Sequence, residues 1–308
     1  MARFLLQRII TGLVTIFVTT IAVTFLIHLV PGDPVRTMYA QSQGTTPEQI
    51  EEIRQRLGLD RPILEQYGAF MGRLFQGDLG QTIRGQQDVL SILVERIPNT
   101  LVLAVAAMLV ALVVGVPIGF FAAARRGRLA DTGLMALATT GVAIPHFWLG
   151  LLFLTWFTVD NRWFPVTGSG PLSLVLPALT LGLASAAVIA RMTRAAMIDV
   201  LSQDFVRTAE AKGLRRGVIL RRHVLRAGLV PVVTMSGLQF AAMMGGAIVV
   251  ENIFAWNGVG RLAIDAILQR DYPLIQGFIL SFAVIVVTVS ILLDVVYAFL
   301  DPRIRRAA

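Results

Sequence analysis

The stretch Ile9 to Val30 holds no Asp, Glu, Lys or Arg, and apolar runs of comparable length return at 98–124, 132–159, 172–190, 228–250 and 274–300. The hydrocarbon core of a bilayer, about 30 Å thick, takes roughly 20 helical residues at ~1.5 Å each, so these runs are long enough to cross it. Inside lipid the backbone N–H and C=O groups must bond within their own segment, which makes helices the element such runs form. The prediction is an all-α polytopic membrane protein with six transmembrane helices. Composition agrees, since 56% of the residues are hydrophobic and 15% charged, too few charges to cover a water-facing surface.

Several chemistries are closed off by the same sequence. The net charge of +8 sits in the gaps between apolar runs rather than on one soluble face, which argues against a nucleic-acid partner. There is no Cys, and His28, His146 and His223 lie far apart, so a zinc site is not expected. Lys212 is the single Lys and is followed by Gly213; a phosphate-binding loop needs Gly-x-x-x-x-Gly-Lys and then Ser or Thr. If the protein runs on ATP, another chain must hydrolyse it. No nucleophile with an adjacent base and no carboxylate pair stands out, so the chain is read as a non-enzyme with no catalytic, cofactor or metal residue.

Taken in order, Ile9 to Val30 is too long for a signal-peptide core and lacks a small-x-small cleavage site before Gln41, so it is expected to be a retained first span. From Pro31 to Ile97 the sequence turns polar. Thr46-Pro47-Glu48 offers a helix start, Ile50, Ile53 and Leu57 mark an apolar stripe that Gly58 ends, and a second amphipathic stretch follows Pro62. Pro98 suits the start of the second span and Pro117 should kink it. The third span contains Pro145, His146, Trp148 and Trp156, with Trp163 just beyond, and Trp near span ends marks the bilayer interface. The predicted organisation is a first transmembrane helix at 1–30, a small helical extracytoplasmic insertion at 31–97, and a core at 98–308 with five transmembrane helices and a cytoplasmic loop at 199–226. Basic residues collect on the side that holds both termini and that loop, which places both termini in the cytoplasm and the insertion outside.

The loop is the most charged part of the second half. Projected at about 100° per residue, Ile198, Leu201, Phe205 and Ala209 share one side, with Asp199, Gln203, Arg207 and Glu210 opposite. After Gly213, which ends a helix without a Cβ penalty, Leu214, Val218 and Leu225 share a stripe beside Arg215, Arg222 and Arg226. Two short helices joined at a Gly, carrying a cationic stripe, are therefore held out from the membrane.

Arg207-Thr208-Ala209-Glu210-Ala211-Lys212-Gly213, with His223-Val224-Leu225-Arg226 downstream, resembles the EAA loop of permease subunits of ATP-binding-cassette importers. Arg207 and Thr208 stand where that pattern has Glu and Ala, and Arg226 where it has Pro. Glu251-Asn252-Ile253-Phe254-Ala255-Trp256-Asn257-Gly258-Val259-Gly260 resembles the Glu-x-x-Phe-x-x-Pro-Gly-x-Gly segment after the fifth span, with Asn257 in place of Pro. Pro31-Gly32-Asp33-Pro34, Gly77-Asp78-Leu79-Gly80 and the ending Asp301-Pro302-Arg303-Ile304-Arg305 are similar to signatures of the peptide-importer group, although each of the first two, taken separately, is better read as simple turn chemistry. In order and placement these fragments resemble the B-type permease subunit of a dipeptide or oligopeptide importer.

That resemblance implies a type I importer permease fold in a bacterial inner membrane. It implies a homologous second permease, favouring a hetero-pair, two ATPase subunits that carry ATP and Mg, and an extracytoplasmic substrate-binding protein, besides membrane lipid. It further implies that Arg207, Ala209, Glu210, Gly213, Leu214 and Arg215 couple to the ATPases, with Ala209 and Gly213 allowing close approach and setting the bend, Leu214 packing into a groove, and Arg207, Glu210 and Arg215 making polar contacts. Glu251, Phe254 and Asp294 are candidates for the translocation path or gating. For Glu251 an interfacial loop without substrate role stands beside that reading, and for Asp294 an ion pair with Arg303 or an arginine of the loop. His28 and His146 are expected to be buried and hydrogen-bonded. The alternative function is a stand-alone secondary transporter or channel in which Asp294 carries coupling protons. The cargo, whether peptide, glutathione, nickel or sugar, is not written in this chain.

Overall fold

The computed structural model describes residues 2–29, 35, 46–56, 58–83, 85–165 and 170–300. Its helices are α1 (Ala2–Leu29), α2 (Pro47–Arg56), α3 (Ile63–Leu74), α4 (Val89–Ala124), α5 (Leu129–Ala143), α6 (His146–Phe153), α7 (Pro171–Leu201), α8 (Asp204–Ala211), α9 (Leu225–Ile253), α10 (Val259–Gln269) and α11 (Tyr272–Leu300). Two π-helical stretches, Leu154–Asp160 and Ile219–Val224, prolong α6 and lead into α9. Among the described residues, five helical stretches are long and apolar enough to cross a membrane, and a sixth joins them if α5 and α6 count as one bent span. The fragments at 31–34 and 301–305 and the side chain of His28 lie outside the described residues.

Two spans differ from expectation. The second begins at Val89 rather than Pro98, because the Asp88 carboxylate accepts the Ser91 N–H at 2.7 Å and so caps the helix a full nine residues earlier than the proline. The third is broken: Ile144 is forced into an extended conformation (φ −78°, ψ 121°) by the proline that follows, and α5 and α6 meet at 95°. His146, expected to be buried, is exposed in the first turn of α6.

The contacts divide the chain into two units, Met1–Pro98 with Gly258–Ile291, and Asn99–Asn257 with Leu292–Ala308. In the first, α2 opens with a capping box: the Thr46 N–H donates to Gln49 Oε1 at 3.0 Å and the Gln49 N–H to Thr46 Oγ1 at 3.4 Å. Gly58, at φ +68°, closes the same helix, and the Leu59 N–H reaches back to the Arg54 carbonyl. The chain at 77–88 folds on itself through the Gln81–Asp88 bridge. It is pinned by Asp271, which accepts the Ile83 N–H at 2.9 Å and the Leu274 N–H at 3.2 Å. Leu79 and Ile83 are buried there. The Thr20 hydroxyl and Tyr67 hydroxyl, 3.1 Å apart, join α1 to α3.

The second unit is built around α7, which packs against α5, α6 and α9 and is buried along most of its length. The reason lies in its small residues. A Cβ at Gly182 would stand 2.6 Å from the Ala107 carbonyl oxygen, one at Gly115 2.6 Å from that of Ala186, and one at Gly119 2.4 Å from that of Ala190. Helices in lipid gain little from hydrophobic burial against each other, so backbone approach through such small-x-x-x-small faces carries their association. Gln239 Nε2 donates to Ser185 Oγ at 2.9 Å and adds a polar link between α9 and α7. Outward-facing Leu109, Val113, Leu238 and Val249 are exposed, as an apolar solvent requires.

Gly119→Val is expected to destabilise the protein by about 1–3 kcal/mol through overpacking against a backbone that cannot yield. Gly133→Ala, where the added methyl meets nothing within 4 Å, should be neutral or slightly stabilising. Thermal unfolding of the detergent-solubilised protein, followed by Tm, separates the two.

Candidate functional site

The charged loop folds as an elbow. α7 ends at Leu201, Ser202 and Gln203 turn the chain, and α8 runs from Asp204 to Ala211. At its end the Gly213 N–H donates to the Glu210 carbonyl at 2.9 Å and the Leu214 N–H to the Ala209 carbonyl at 3.3 Å, with Gly213 at φ +75°. These bonds form a Schellman turn, which needs a residue free of Cβ strain at that position. The chain then re-enters through Arg216–Val218 and the π-helical Ile219–Val224.

One side of the elbow is closed by the protein itself. Val206, Ala209, Ile219 and Val224 are buried with Met197, Val200 and Ala123, and Ala209 is 7% exposed. The small side chain of Ala209 thus serves close approach within this chain. The other side is open: Phe205 is 42% exposed, Leu214 and Val218 41% each, and Arg207, Glu210, Lys212 and Arg215 are exposed as well. The Arg207–Asp204 pair, 4.0 Å apart on exposed side chains, contributes little to stability.

The 100° projection groups Phe205 with Ala209, whereas the structure buries Val206 with Ala209 and leaves Phe205 exposed, because the break at Ser202–Gln203 resets the helical phase. It sets Leu214, Val218 and Leu225 on one stripe; Leu214 and Val218 are both exposed, while Leu225 is half-buried against the cluster that holds Ile219 and Val224. A left-handed Gly followed by a wider π turn does not keep 3.6-residue spacing.

The candidates at the end of α9 are interior residues. Glu251 is wholly buried and accepts a hydrogen bond from Thr100 Oγ1. Phe254 is buried in the main core cluster, beside Gly150 of α6. Trp256 Nε1 donates to the Asn99 carbonyl at 3.0 Å, and Asn99 Nδ2 to the Asn257 carbonyl at 2.7 Å. The turn after α9 is thereby laced to the residues that open the second unit. Asp294 is half-buried on α11 and has an interaction partner; the Arg303 expected beside it lies outside the described residues.

Sequence reasoning passed over Asp131 and Arg194. Arg194 Nε donates to Asp131 Oδ1 at 2.6 Å and Nη2 to Oδ2 at 2.8 Å. The Gly127 N–H donates to Asp131 Oδ2 at 3.1 Å. The carboxylate is buried and the guanidinium half-buried. The usable signal was one acidic residue placed just after the cluster Arg125-Arg126-Gly127-Arg128.

Residues 115–306 match the model of the family described as binding-protein-dependent transport system inner membrane component, and residues 1–104 match its N-terminal companion. The chain belongs to this family. It is a multi-pass membrane permease subunit of an ATP-driven importer, working with a partner permease, separate subunits that hydrolyse ATP, and a binding protein. The permease is 39% identical over 306 residues to the glutathione transport system permease protein GsiC of Escherichia coli (strain K12), covering 99% of each chain. It is 40% identical over the same length to GsiC of Pectobacterium atrosepticum. Among solved structures it is similar to a chain of the MetNI methionine ABC transporter in inward-facing conformations, with a TM-score of 0.59 at 16% identity. That match covers 69% of this chain and 97% of the other. An amino acid ABC transporter gives a TM-score of 0.52 over 68% and 94%. The fold is thus that of the type I importer permeases.

Gly213→Val should open the elbow to proteases at its flanking basic residues, because φ +75° costs a side-chain-bearing residue about 1–2 kcal/mol. Gly217→Ala, equally free of neighbours but without positive φ, should leave the digestion rate unchanged. Thr100→Val removes a donor from a buried carboxylate, and unfolding measurements should show a loss of about 1–3 kcal/mol.

Proposed function

We propose that this permease is one member of a hetero-pair that imports short peptides, glutathione among them, and that residues 199–226 are its cytoplasmic coupling site. The cargo class rests on the GsiC relatives, which match over the whole chain. The orientation, with both termini and the elbow in the cytoplasm, rests on the excess of Arg around the elbow and the span ends.

The observation that carries the coupling role is the division of the elbow into a buried and an open side. A segment fixed by its own core through Val206, Ala209, Ile219 and Val224 moves as one body with α7. Its open side exposes the apolar Phe205, Leu214 and Val218 together with the charged Arg207, Glu210 and Arg215, the mixture of apolar and charged groups that a docking patch uses. Two ATPase subunits bearing ATP and Mg sit beneath the permease pair, one receiving this elbow. Closure of the ATPases draws the elbow, and α7 transmits the displacement into the spans. Gly213 sets the bend, Leu214 enters the ATPase groove, and Arg207, Glu210 and Arg215 hold its rim.

Glu251 and Phe254 take part in gating by holding the turn after α9, not by touching cargo, since both are buried. Asp294, partnered and half-buried, serves the same path structurally.

The permease contains no Cys, so a single cysteine reports its own position. Leu214→Cys should react with a membrane-impermeant thiol reagent in inverted vesicles and not in intact cells, and should be protected when the ATPases are bound. Labelling from the cell exterior would overturn the orientation. Leu214→Asp should lower uptake roughly tenfold, equivalent to ~1.4 kcal/mol of docking free energy, while the protein still inserts; undiminished uptake would remove the elbow from the coupling site.

A further inference from the structure

The contacts along α7 form an antiparallel ladder with α5 and α6. Near the end of α7, Arg194 holds Asp131. Further back, Ala187 and Ala190 are buried with Ala138, and a Cβ at Gly141 would lie 3.4 Å from the Ala187 Cβ. α5 is therefore laid against the C-terminal half of α7. α6 meets the other half, where a Cβ at Gly150 would lie 3.3 Å from Thr180 Cγ2. The 95° break lies between the two. Just past Arg194, Met197 and Val200 belong to the cluster that closes the inner side of the elbow.

The rungs are unequal. Ala and Gly contacts, even with Met135 packed beside them, carry no directional bond. A bidentate guanidinium–carboxylate pair is planar and directional, and it fixes both register and angle. Asp131 lies in the first turn of α5, where the helix dipole favours a carboxylate, and its third hydrogen bond, from the Gly127 N–H, holds the turn before α5 to the same point. A lone surface pair would be swept aside by water; this one is buried on the Asp side.

We propose that Asp131 and Arg194 are a positioning pair that passes displacement of the elbow to α5, with Ile144–Pro145 as the hinge where α5 changes its angle to α6. The pair touches neither cargo nor ATPase. It converts the elbow and the inner half of the broken span into one moving body. This rests on the elbow being the coupling site.

The test uses the assembled transporter, both permeases with ATPases and binding protein, reconstituted in vesicles, with ATP hydrolysis and uptake measured together. Asp131→Asn and Arg194→Lys should keep hydrolysis while raising the ATP consumed per molecule imported about tenfold, within the usual range of coupling effects. The exchange Asp131→Arg with Arg194→Asp should restore much of the ratio. An unchanged ratio, or hydrolysis and uptake falling in parallel with the amount of assembled complex, would reduce the pair to a structural contact and overturn the proposal. If the variants do not assemble, spin labels on Thr139→Cys and Trp156→Cys, both exposed, read the hinge with the pair intact. Their separation should change between nucleotide-free and nucleotide-trapped states, and a constant separation overturns the proposal. Leu214→Asp separates the two readings: normal coupling in that variant with impaired coupling in Asp131→Asn removes the elbow assignment and leaves the tie.

Discussion

Where α4 crosses α7, the two backbones approach so closely that a methyl group at Gly119 would stand 2.4 Å from the carbonyl oxygen of Ala190. Lipid tails are as apolar as Leu, so apolar burial alone cannot hold two helices together in a bilayer; dense contact between small residues can. The pattern of Gly115, Gly119 and Gly182 against Ala186, Ala190 and Ala107 makes α7 a fixed axis of the second unit. α5, α6 and α9 are arranged on its remaining sides, and the direction in which α7 leaves the bundle sets where the elbow stands.

The elbow shows how a short charged segment becomes a mechanical part. Its inner residues join the same packed cluster as Met197 and Val200 at the end of α7, so it is no free loop. The Schellman turn at Gly213 has a counterpart at Gly58, where α2 ends in the first unit. In both places a residue without Cβ lets a helix stop and the chain change direction while the last carbonyls stay bonded. Opposite the buried face, Phe205, Leu214 and Val218 remain open, a state that is costly in water unless a partner covers it.

The motif carried by Glu251 to Gly260 was legible as a motif but not as a structure. One reading of Glu251 is an interfacial loop, whereas the folded chain buries Glu251 completely and turns Trp256 and Asn257 back onto Asn99. Sequence spacing places Glu251 at the end of a helix; the hydroxyl of Thr100, 151 residues away, helps to make its burial tolerable. The same holds for Asp131, whose partner is 63 residues along the chain. Long-range polar pairs leave no periodic trace, and a single charge beside a basic cluster looks like any interfacial residue.

Local chemistry was enough for much of the rest. Length and apolarity decided that the runs would be membrane helices, Thr46-Pro47 and Gly58 bounded α2, and Gly213 marked the bend, because those outcomes depend on bilayer thickness, missing N–H groups and backbone φ within a few residues. The cap that Asp88 gives to the Ser91 N–H, and the break at Ile144–Pro145, are local too, although hydropathy alone does not read them. Tertiary structure decided what such rules cannot reach: Ile219 and Val224 turned inward against Met197 and Val200, Thr100 met Glu251, and Asp131 met Arg194. Each of these depends on which segments lie side by side, and that is set by packing between helices rather than by any window along the chain.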